Sequence, residues 1–160
     1  MTIKVGDRVP SVELHILTDD GPDAISSDDI FIGKTVALFG LPGAYTRTCS
    51  SKHLPSFVQN AEALKAKGVH TIVCLSVNDP WVMGAWGEVQ NVGDRVMMVG
   101  DGNLNFTRAA GLEIDMSSRG NGARCLRFSM LVKDGVVTTM HTETDGTFGE
   151  TSAETLLGEL

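Results

Sequence analysis

A short apolar run that leads through a proline-containing loop into a helical pattern constrains this chain most. Val36 to Phe39 are apolar without a break, which is typical of a strand buried on both faces of a sheet. A Gly-Leu-Pro-Gly loop follows, and apolar residues at helical spacing begin close to Cys49. Cys49 is therefore predicted in the first turn of a helix, where free backbone N–H groups and the helix dipole favour the thiolate. This position indicates a nucleophile rather than a structural cysteine.

The rest of the sequence alternates between strand and helix patterns. Apolar residues at spacings of three and four predict a helix from about 48 to 67, kinked early by Pro55. The Lys-Asp-Gly tripeptide 133–135 is typical of a hairpin turn, and Thr151 with Glu154 predicts a capping box opening a C-terminal helix. The remaining segments are predicted as strands at 69–77 and 96–99, as helices at 81–89 and 103–111, and as hairpin strands at 126–132 and 136–140.

This order of elements predicts the fold class. Strand, helix, strand, helix and strand in succession, followed by a hairpin, indicate a mixed sheet covered by helices. We expect a thioredoxin-like, three-layer α/β/α sandwich around a mixed central β-sheet. Because no repeat, low-complexity tract or long linker divides the sequence, we expect a single domain over residues 1–160.

Composition and charge argue against several classes of function. The net charge is −7 and no basic cluster is present, so we expect no nucleic-acid partner. No apolar run approaches a membrane span and no signal-peptide pattern opens the sequence, so we expect no membrane partner and a cytoplasmic location. Three cysteines without a CxxC pair predict neither a disulfide scaffold nor a zinc ribbon. We expect no metal and no cofactor.

Several blocks of the sequence resemble one known family. Pro42, Thr46 and Cys49 match the PxxxTxxC motif of peroxiredoxins. The run Leu-Phe-Gly-Leu-Pro-Gly-Ala that contains this proline is similar to the type II group, which includes peroxiredoxin five. Similarity extends over essentially the whole chain from about residue 3, in blocks at 51–55, 62–68, 75–80, 85–86, 127–130 and 134–135. The chain is thus identified as a member of the peroxiredoxins.

The resemblance implies a thiol peroxidase that reduces hydrogen peroxide and alkyl hydroperoxides. It implies that Cys49 is the peroxidatic cysteine and that Thr46 and Arg127 complete the active site. Pro42 and Gly43 would form the substrate pocket around the sulfur. The thiolate would attack one oxygen of the O–O bond and become a sulfenic acid, while the other oxygen leaves as water or alcohol. Donors from Thr46, the Cys49 backbone and Arg127 would stabilise the charge that moves to the leaving oxygen.

Two positions beside the nucleophile depart from the family pattern. Arg47 stands where the family usually has proline, and Tyr45 where it usually has phenylalanine. The arginine adds a positive charge near the thiolate, but we expect it to point to solvent. His53, one helical turn after Cys49, is expected to pack or to support the site rather than to bind a metal. A Cys–His hydrolase is disfavoured by the Thr-x-x-Cys and arginine pattern.

The cysteines leave open how the sulfenic acid is reduced. Some type II relatives have a resolving cysteine in the C-terminal segment, but residues 146–154 contain none. Cys74 falls in a predicted buried strand, and Cys125 would share a face with Arg127 if both lie in one strand. Each is a candidate resolving cysteine, yet we expect neither to act. A one-cysteine mechanism, in which an external thiol reduces Cys49, is the most economical reading.

The resemblance also suggests partners. Glutathione with glutaredoxin is the expected reductant and thioredoxin the alternative, and a homodimer that packs near the active-site loops is expected. Two other functions stay open: a redox sensor or interaction protein in which oxidation of Cys49 changes binding, and a general disulfide oxidoreductase. The second is disfavoured because the chain lacks a CxxC pair. Steady turnover with a thiol donor would separate the peroxidase from the sensor.

Overall fold

The helices and strands come from a computed structural model that describes residues 1–144 and 147–160. Gly146, the first residue of the C-terminal segment named above, therefore lies outside the described residues. The strands are Glu13–Thr18 (β1), Gly21–Ser26 (β2), Thr35–Leu41 (β3), Thr71–Ser76 (β4), Met97–Gly100 (β5), Glu113–Asp115 (β6), Ala123–Cys125 (β7), Arg127–Lys133 (β8) and Val136–Glu143 (β9). The helices are Ser27–Phe31 (α1), Leu54–Gln59 (α2), Ala61–Ala66 (α3), Pro80–Val89 (α4), Asn105–Ala109 (α5) and Ala153–Leu157 (α6), with a π-helical turn at Cys49–His53 and a 3-10 turn at Ser117–Arg119.

Seven of these strands form one mixed sheet in the order β2-β1-β5-β4-β3-β8-β9. β3, β4 and β5 are parallel neighbours, with Val36 opposite Thr71 and Val73 opposite Met97. β8 runs antiparallel to both β3 and β9, and β1 runs antiparallel to β5 and β2. The predicted mixed sheet is confirmed. The apolar run that begins at Val36 lies in β3, an interior strand between β4 and β8, and its side chains are buried on both faces of the sheet as predicted.

Alternating side chains of the central strands build two separate cores. On one face, Phe39 and Leu41 belong to an apolar cluster with residues of α2, α3, α4 and α6, which we call the first core. On the other face, Val36 and Leu38 belong to a cluster with residues of α1 and α5, which we call the second core. Helices therefore cover both faces of the sheet, which confirms the predicted three-layer arrangement. None of the helices in the described residues is long and apolar enough to cross a membrane.

The segment predicted as one kinked helix is divided into three pieces. Cys49–His53 forms a π-helical turn that leads directly into α2. Pro55 lies in the first turn of α2, directly after the π-helical turn, so the irregular part of the helix precedes the proline. The break comes at Asn60, whose φ of −103° and ψ of 10° separate α2 from α3. This break at Asn60 was not predicted.

One hairpin turn and one helix cap test the predictions that were made from local sequence patterns. The β8–β9 hairpin turn is confirmed, since Asp134 and Gly135 have positive φ values of 48° and 77°. The predicted capping box is wrong by one residue. The side chain of Ser152 accepts from the Thr155 backbone N–H and caps α6, whereas the Thr151 hydroxyl donates to Glu143. The hairpin of β6 and β7, which forms a small second sheet, was not predicted.

Candidate active site

The loop after β3 and the π-helical turn together hold Cys49. The backbone N–H of Ser50 donates to the Thr46 carbonyl at 2.9 Å, so helical geometry begins just before Cys49 and the predicted nucleophile lies in the first helical turn. The Trp86 indole N–H donates to the Ser50 hydroxyl at 3.1 Å, and the Asn78 side chain accepts from the backbone N–H of Ala44 at 3.0 Å. Helix α4 and the end of β4 therefore fix both sides of the loop around the sulfur.

Arg127, the first residue of β8, reaches the sulfur from the neighbouring strand of the sheet. Its Nη2 donates to Cys49 Sγ at 3.3 Å, and its Nη1 lies 2.8 Å from His53 Nδ1. The side chains of Arg127 and Cys49 are both almost fully buried. A guanidinium charge at this distance, shielded from water, stabilises a thiolate much more than it would at the surface. The structure thus brings together two residues that the sequence separates by 78 positions.

His53 holds the other half of the Arg127 guanidinium. It is completely buried, and its Nε2 lies 3.0 Å from the Thr151 carbonyl. Because Arg127 can only donate, His53 Nδ1 must be the acceptor and Nε2 must carry the proton. Burial first, and then the charge of Arg127, lower the pKa of His53 to about 3. A neutral histidine of fixed tautomer therefore orients the arginine, as the expected supporting role of His53 requires.

Thr46 and Pro42 line the approach to the sulfur, whereas Gly43, which was predicted in the substrate pocket, is buried and does not belong to the cavity lining. The Thr46 hydroxyl donates to the Gly43 carbonyl at 2.7 Å, so it presents an acceptor to a molecule near Cys49, which corrects its predicted role as a donor. Gly43 packs closely against Arg124, since a Cβ at this position would lie 2.8 Å from Nη1 of Arg124 and would displace that side chain. That same nitrogen donates to the Pro42 carbonyl at 3.3 Å. Arg124 thus supports this loop, a role that the sequence analysis did not predict.

A cavity of about 530 Å³ opens above these residues. Its floor contains Cys49 and Arg127, and Arg47 lies at its rim as an exposed side chain that makes no hydrogen bond within the described residues. The unpredicted β6–β7 hairpin supplies much of the opposite wall. Among the described residues, no three histidine, cysteine or carboxylate side chains are grouped as a metal site. The full lining is Pro42, Thr46, Arg47, Thr48, Cys49, Ile114, Asp115, Met116, Ser118, Arg119, Asn121, Leu126, Arg127, Glu143 and Thr144.

Cys74 and Cys49 lie in the same core, but they are not bonded. Cys74 belongs to β4, is completely buried and packs in the first core beside Cys49. Burial first, and then the neighbouring charge of Cys49, raise the pKa of the Cys74 thiol. A thiol that resists ionisation is a poor attacking group for a sulfenic acid. Cys74 would therefore need a local rearrangement of the chain before it could act as a resolving cysteine.

Cys125 does not face the site, because the condition for a face shared with Arg127, that both residues lie in one strand, is not met. The chain leaves β7 at Cys125 and enters β8 of the other sheet at Arg127, so the alternation of side chains is interrupted at Leu126. Cys125 consequently packs in the second core, and its thiol donates to the Leu126 carbonyl at 3.2 Å. Burial raises the pKa of this thiol, and the Asp101 carboxylate adds to the rise.

Comparisons with known proteins show which family this chain belongs to. A family model described as Redoxin matches residues 4–157. The chain is 43% identical to Peroxiredoxin-2B of Arabidopsis thaliana over 159 residues, which cover 99% of this chain and 98% of the relative. Reduced Prx3 of Vibrio vulnificus, solved in complex with hydrogen peroxide, is 43% identical, covers 99% of each chain and superposes with a TM-score of 0.94.

A more distant relative preserves the same architecture. Peroxiredoxin 5 of Alvinella pompejana is 32% identical and superposes with a TM-score of 0.85 over 97% of this chain and 96% of its own. The thioredoxin-like fold predicted from the order of strands and helices is thereby confirmed. The chain therefore belongs to the Redoxin family and, within it, to the peroxiredoxins, which are thiol peroxidases.

Proposed function

We propose that this chain reduces hydrogen peroxide and alkyl hydroperoxides with the Cys49 thiolate as the attacking group. The observation that carries the proposal is the donation of Arg127 Nη2 to Cys49 Sγ at 3.3 Å at the floor of the cavity. A buried sulfur with a guanidinium on one side and an open cavity on the other is poised to attack an entering molecule. The relative from Vibrio vulnificus that was solved with hydrogen peroxide supports this substrate.

The groups around Cys49 match the charge that moves during the reaction. The sulfur forms a bond to one peroxide oxygen, the O–O bond breaks, and the second oxygen leaves as hydroxide or alkoxide that takes up a proton. The Thr46 hydroxyl, which already donates to Gly43, can accept from a peroxide O–H group. Nε of Arg127 has no hydrogen-bond partner among the described residues, so its proton is available to a ligand oxygen. One acceptor and one further donor thus complement the peroxide.

The second half of the cycle would use an external thiol. Two thiols of the reductant return the sulfenic acid to the Cys49 thiol, with release of one water and formation of the reductant's disulfide. The inaccessible positions of Cys74 and Cys125 support this one-cysteine mechanism, and the cavity of about 530 Å³ leaves room for a thiol larger than peroxide. Glutathione with glutaredoxin is the proposed reductant, and thioredoxin remains the alternative. A homodimer and a cytoplasmic location remain predictions.

Intact mass after one equivalent of hydrogen peroxide tests the function. The wild-type protein should lose one thiol rapidly and gain one oxygen atom, and Cys49→Ser should do neither. Steady consumption of peroxide on adding glutathione and glutaredoxin would distinguish an enzyme from a sensor that oxidises once. If two thiols disappeared and the mass fell by that of two hydrogen atoms, an internal disulfide would have formed. The one-cysteine mechanism would then be wrong. A wild-type rate equal to that of free cysteine would overturn the proposed function.

A further inference from the structure

The carboxylate of Glu143, the last residue of β9, accepts hydrogen bonds from the segment that precedes α6. We call this set of hydrogen bonds the clasp. The carboxylate accepts from the backbone N–H of Glu150 at 3.0 Å and from that of Thr151 at 3.2 Å, and it also accepts from the Thr151 hydroxyl. Burial opposes the charge of this carboxylate, but the hydrogen bonds outweigh burial and lower the pKa of Glu143. The ionised carboxylate therefore fixes both the backbone and the side chain of Thr151.

An unbroken series of hydrogen bonds connects the Glu143 carboxylate to the sulfur of Cys49. The Thr151 carbonyl accepts from Nε2 of His53 at 3.0 Å, and Nδ1 of His53 accepts from Arg127 at 2.8 Å. Arg127 in turn donates to Cys49 at 3.3 Å. His53, Arg127, Thr151 and Cys49 are all buried, so no link after the carboxylate competes freely with solvent.

The direction of each bond in this series depends on the one before it. If the Thr151 carbonyl turned away, Nε2 of His53 would lose its acceptor and the other tautomer could form. That tautomer would point an Nδ1–H at the guanidinium of Arg127, where two donors repel each other. Arg127 would then lose the contact that holds it against Cys49. The orientation of Thr151 thus decides whether the guanidinium is held.

We propose that Glu143 is a positioning residue for the peroxidase reaction, acting through Thr151 and His53 on Arg127. This inference rests on the proposed function of Cys49. Glu143 also lies directly opposite Arg127 in the β8–β9 register, on the same face of the sheet, and it lines the cavity. Within the described residues it forms no ion pair with Arg127, because its oxygens are directed at the Glu150–Thr151 backbone. Its placement near the arginine is therefore used for orientation and not for neutralising the cation.

Substitution of Glu143 with a matched control tests the inference. Glu143→Gln keeps the shape but loses the charge and one acceptor oxygen, and Glu143→Ala removes the clasp. The rate constant for hydrogen peroxide should fall roughly tenfold for the first and up to roughly a hundredfold for the second, as misplaced catalytic groups do. Glu159→Gln is the control, because Glu159 pairs with His141 at 2.7 Å and belongs to no link of the series. It should react like the wild-type protein.

Two further measurements separate positioning from a structural role. The ¹⁵N signals of His53 should show loss of the single Nε2–H tautomer in the Glu143 variants, and the rate constant for alkylation of Cys49 by iodoacetamide at neutral pH should fall. Thr151→Val, which removes the hydroxyl, should slow the reaction with peroxide, and Thr151→Ser should restore it. These two variants keep the inference testable if Glu143→Ala does not fold.

The outcomes also distinguish this inference from the proposed function. If the folded Glu143 variants and Thr151→Val reacted with peroxide at the wild-type rate and kept the single Nε2–H tautomer of His53, the positioning role would be overturned and the proposed peroxidase function would stand. A lower melting temperature with an unchanged rate constant would also overturn it, since Glu143 would then be merely structural. A wild-type protein as slow as free cysteine would instead remove the proposed function itself.

Discussion

Cys49 and Cys125 are equally buried thiols on opposite faces of one sheet, yet their surroundings differ completely. Cys49, in the first core, receives a hydrogen bond from Arg127 and lies at the floor of a cavity. Cys125, in the second core, lies near the Asp101 carboxylate, and its thiol donates a hydrogen bond to the Leu126 carbonyl. One thiol is placed beside a cation and the other near an anion.

This difference shows that burial alone does not decide what a cysteine does. Removal from water penalises any thiolate, so a reactive thiol in a core needs a compensating positive charge and an opening to its substrate. The first core supplies both through Arg127 and the cavity. In the second core, the buried charge of Asp101 is used instead to accept from two backbone N–H groups and the Thr107 hydroxyl at the start of α5.

Alkylation of the native protein should separate the thiols by the largest factor. With iodoacetamide at neutral pH, Cys49 should react, while Cys74 and Cys125 should be slower by roughly a thousandfold or more because they require local or global opening. Peptide mapping of the alkylated protein over time measures each rate. In urea all three should react alike. Native labelling of Cys125 as fast as Cys49 would contradict the comparison.

Exchanging the charged neighbours should change the rate constant only in the first core. Arg127→Gln should slow the reaction with peroxide by roughly 10²- to 10³-fold, the usual cost of removing a donor that stabilises developing charge. Arg127→Lys should recover little, because one ammonium cannot hold both His53 and Cys49 in the way the guanidinium does. Stopped-flow kinetics with hydrogen peroxide provides the measurement.

The matched change in the second core is Asp101→Asn. It should leave the rate constant within about twofold of the wild-type value but lower the free energy of unfolding by about 1–3 kcal/mol, since buried donors at the start of α5 lose part of their acceptor. Urea denaturation measures this cost. A large loss of rate for Asp101→Asn would show that the two cores are not independent.

The pH dependence of stability tests the electrostatics of the first core. The pKa of His53 is about 3 in the folded protein and about 6.5 in the unfolded chain. Between these values the unfolded chain binds a proton that the folded protein does not. The free energy of unfolding should therefore fall as the pH decreases from about 6.5 towards 3, by up to about 1.4 kcal/mol per pH unit from this group.

Substitution of His53 isolates that contribution from the other titrating groups. His53→Gln retains a donor and an acceptor but does not titrate, so its urea midpoint should depend less steeply on pH than that of the wild-type protein. The difference between the two curves gives the part due to His53. Parallel curves between pH 5 and 7 would mean that His53 is not held neutral beside Arg127.

Local patterns were enough to predict much of the fold. The apolar run of β3 and the Asp-Gly turn of the β8–β9 hairpin each depend on residues that are neighbours in the chain. Thr46 and Cys49 belong to one short motif, and both line the cavity as that motif predicts. Elements of this kind need no knowledge of distant contacts.

Long-range contacts account for what sequence reasoning missed. In the sequence, Glu143 resembles an ordinary residue at the end of a strand and Thr151 resembles a helix cap. Only in the folded chain do hydrogen bonds connect Glu143 to Thr151 and Thr151 to His53. The predicted cap at Thr151 was wrong because its hydroxyl finds a distant carboxylate instead of the local backbone. Arg124 carries no local signal for its contact with Pro42, 82 residues earlier. The direction of Cys125 depends on where the chain changes sheets.

The smallest expected effect concerns Cys125 itself. Cys125→Ala should leave the rate constant for hydrogen peroxide within about twofold of the wild-type value, because the thiol faces the core opposite to Cys49. The free energy of unfolding should fall by about 1 kcal/mol, since a small cavity replaces the sulfur in a closely packed site. Stopped-flow kinetics and urea denaturation on the same preparation measure both quantities. A rate loss for Cys125→Ala, together with an internal disulfide in the wild-type protein, would mean that the chain opens enough to bring this thiol across the sheet. The contrast between the two cysteines would then describe only the reduced resting state and not the whole catalytic cycle.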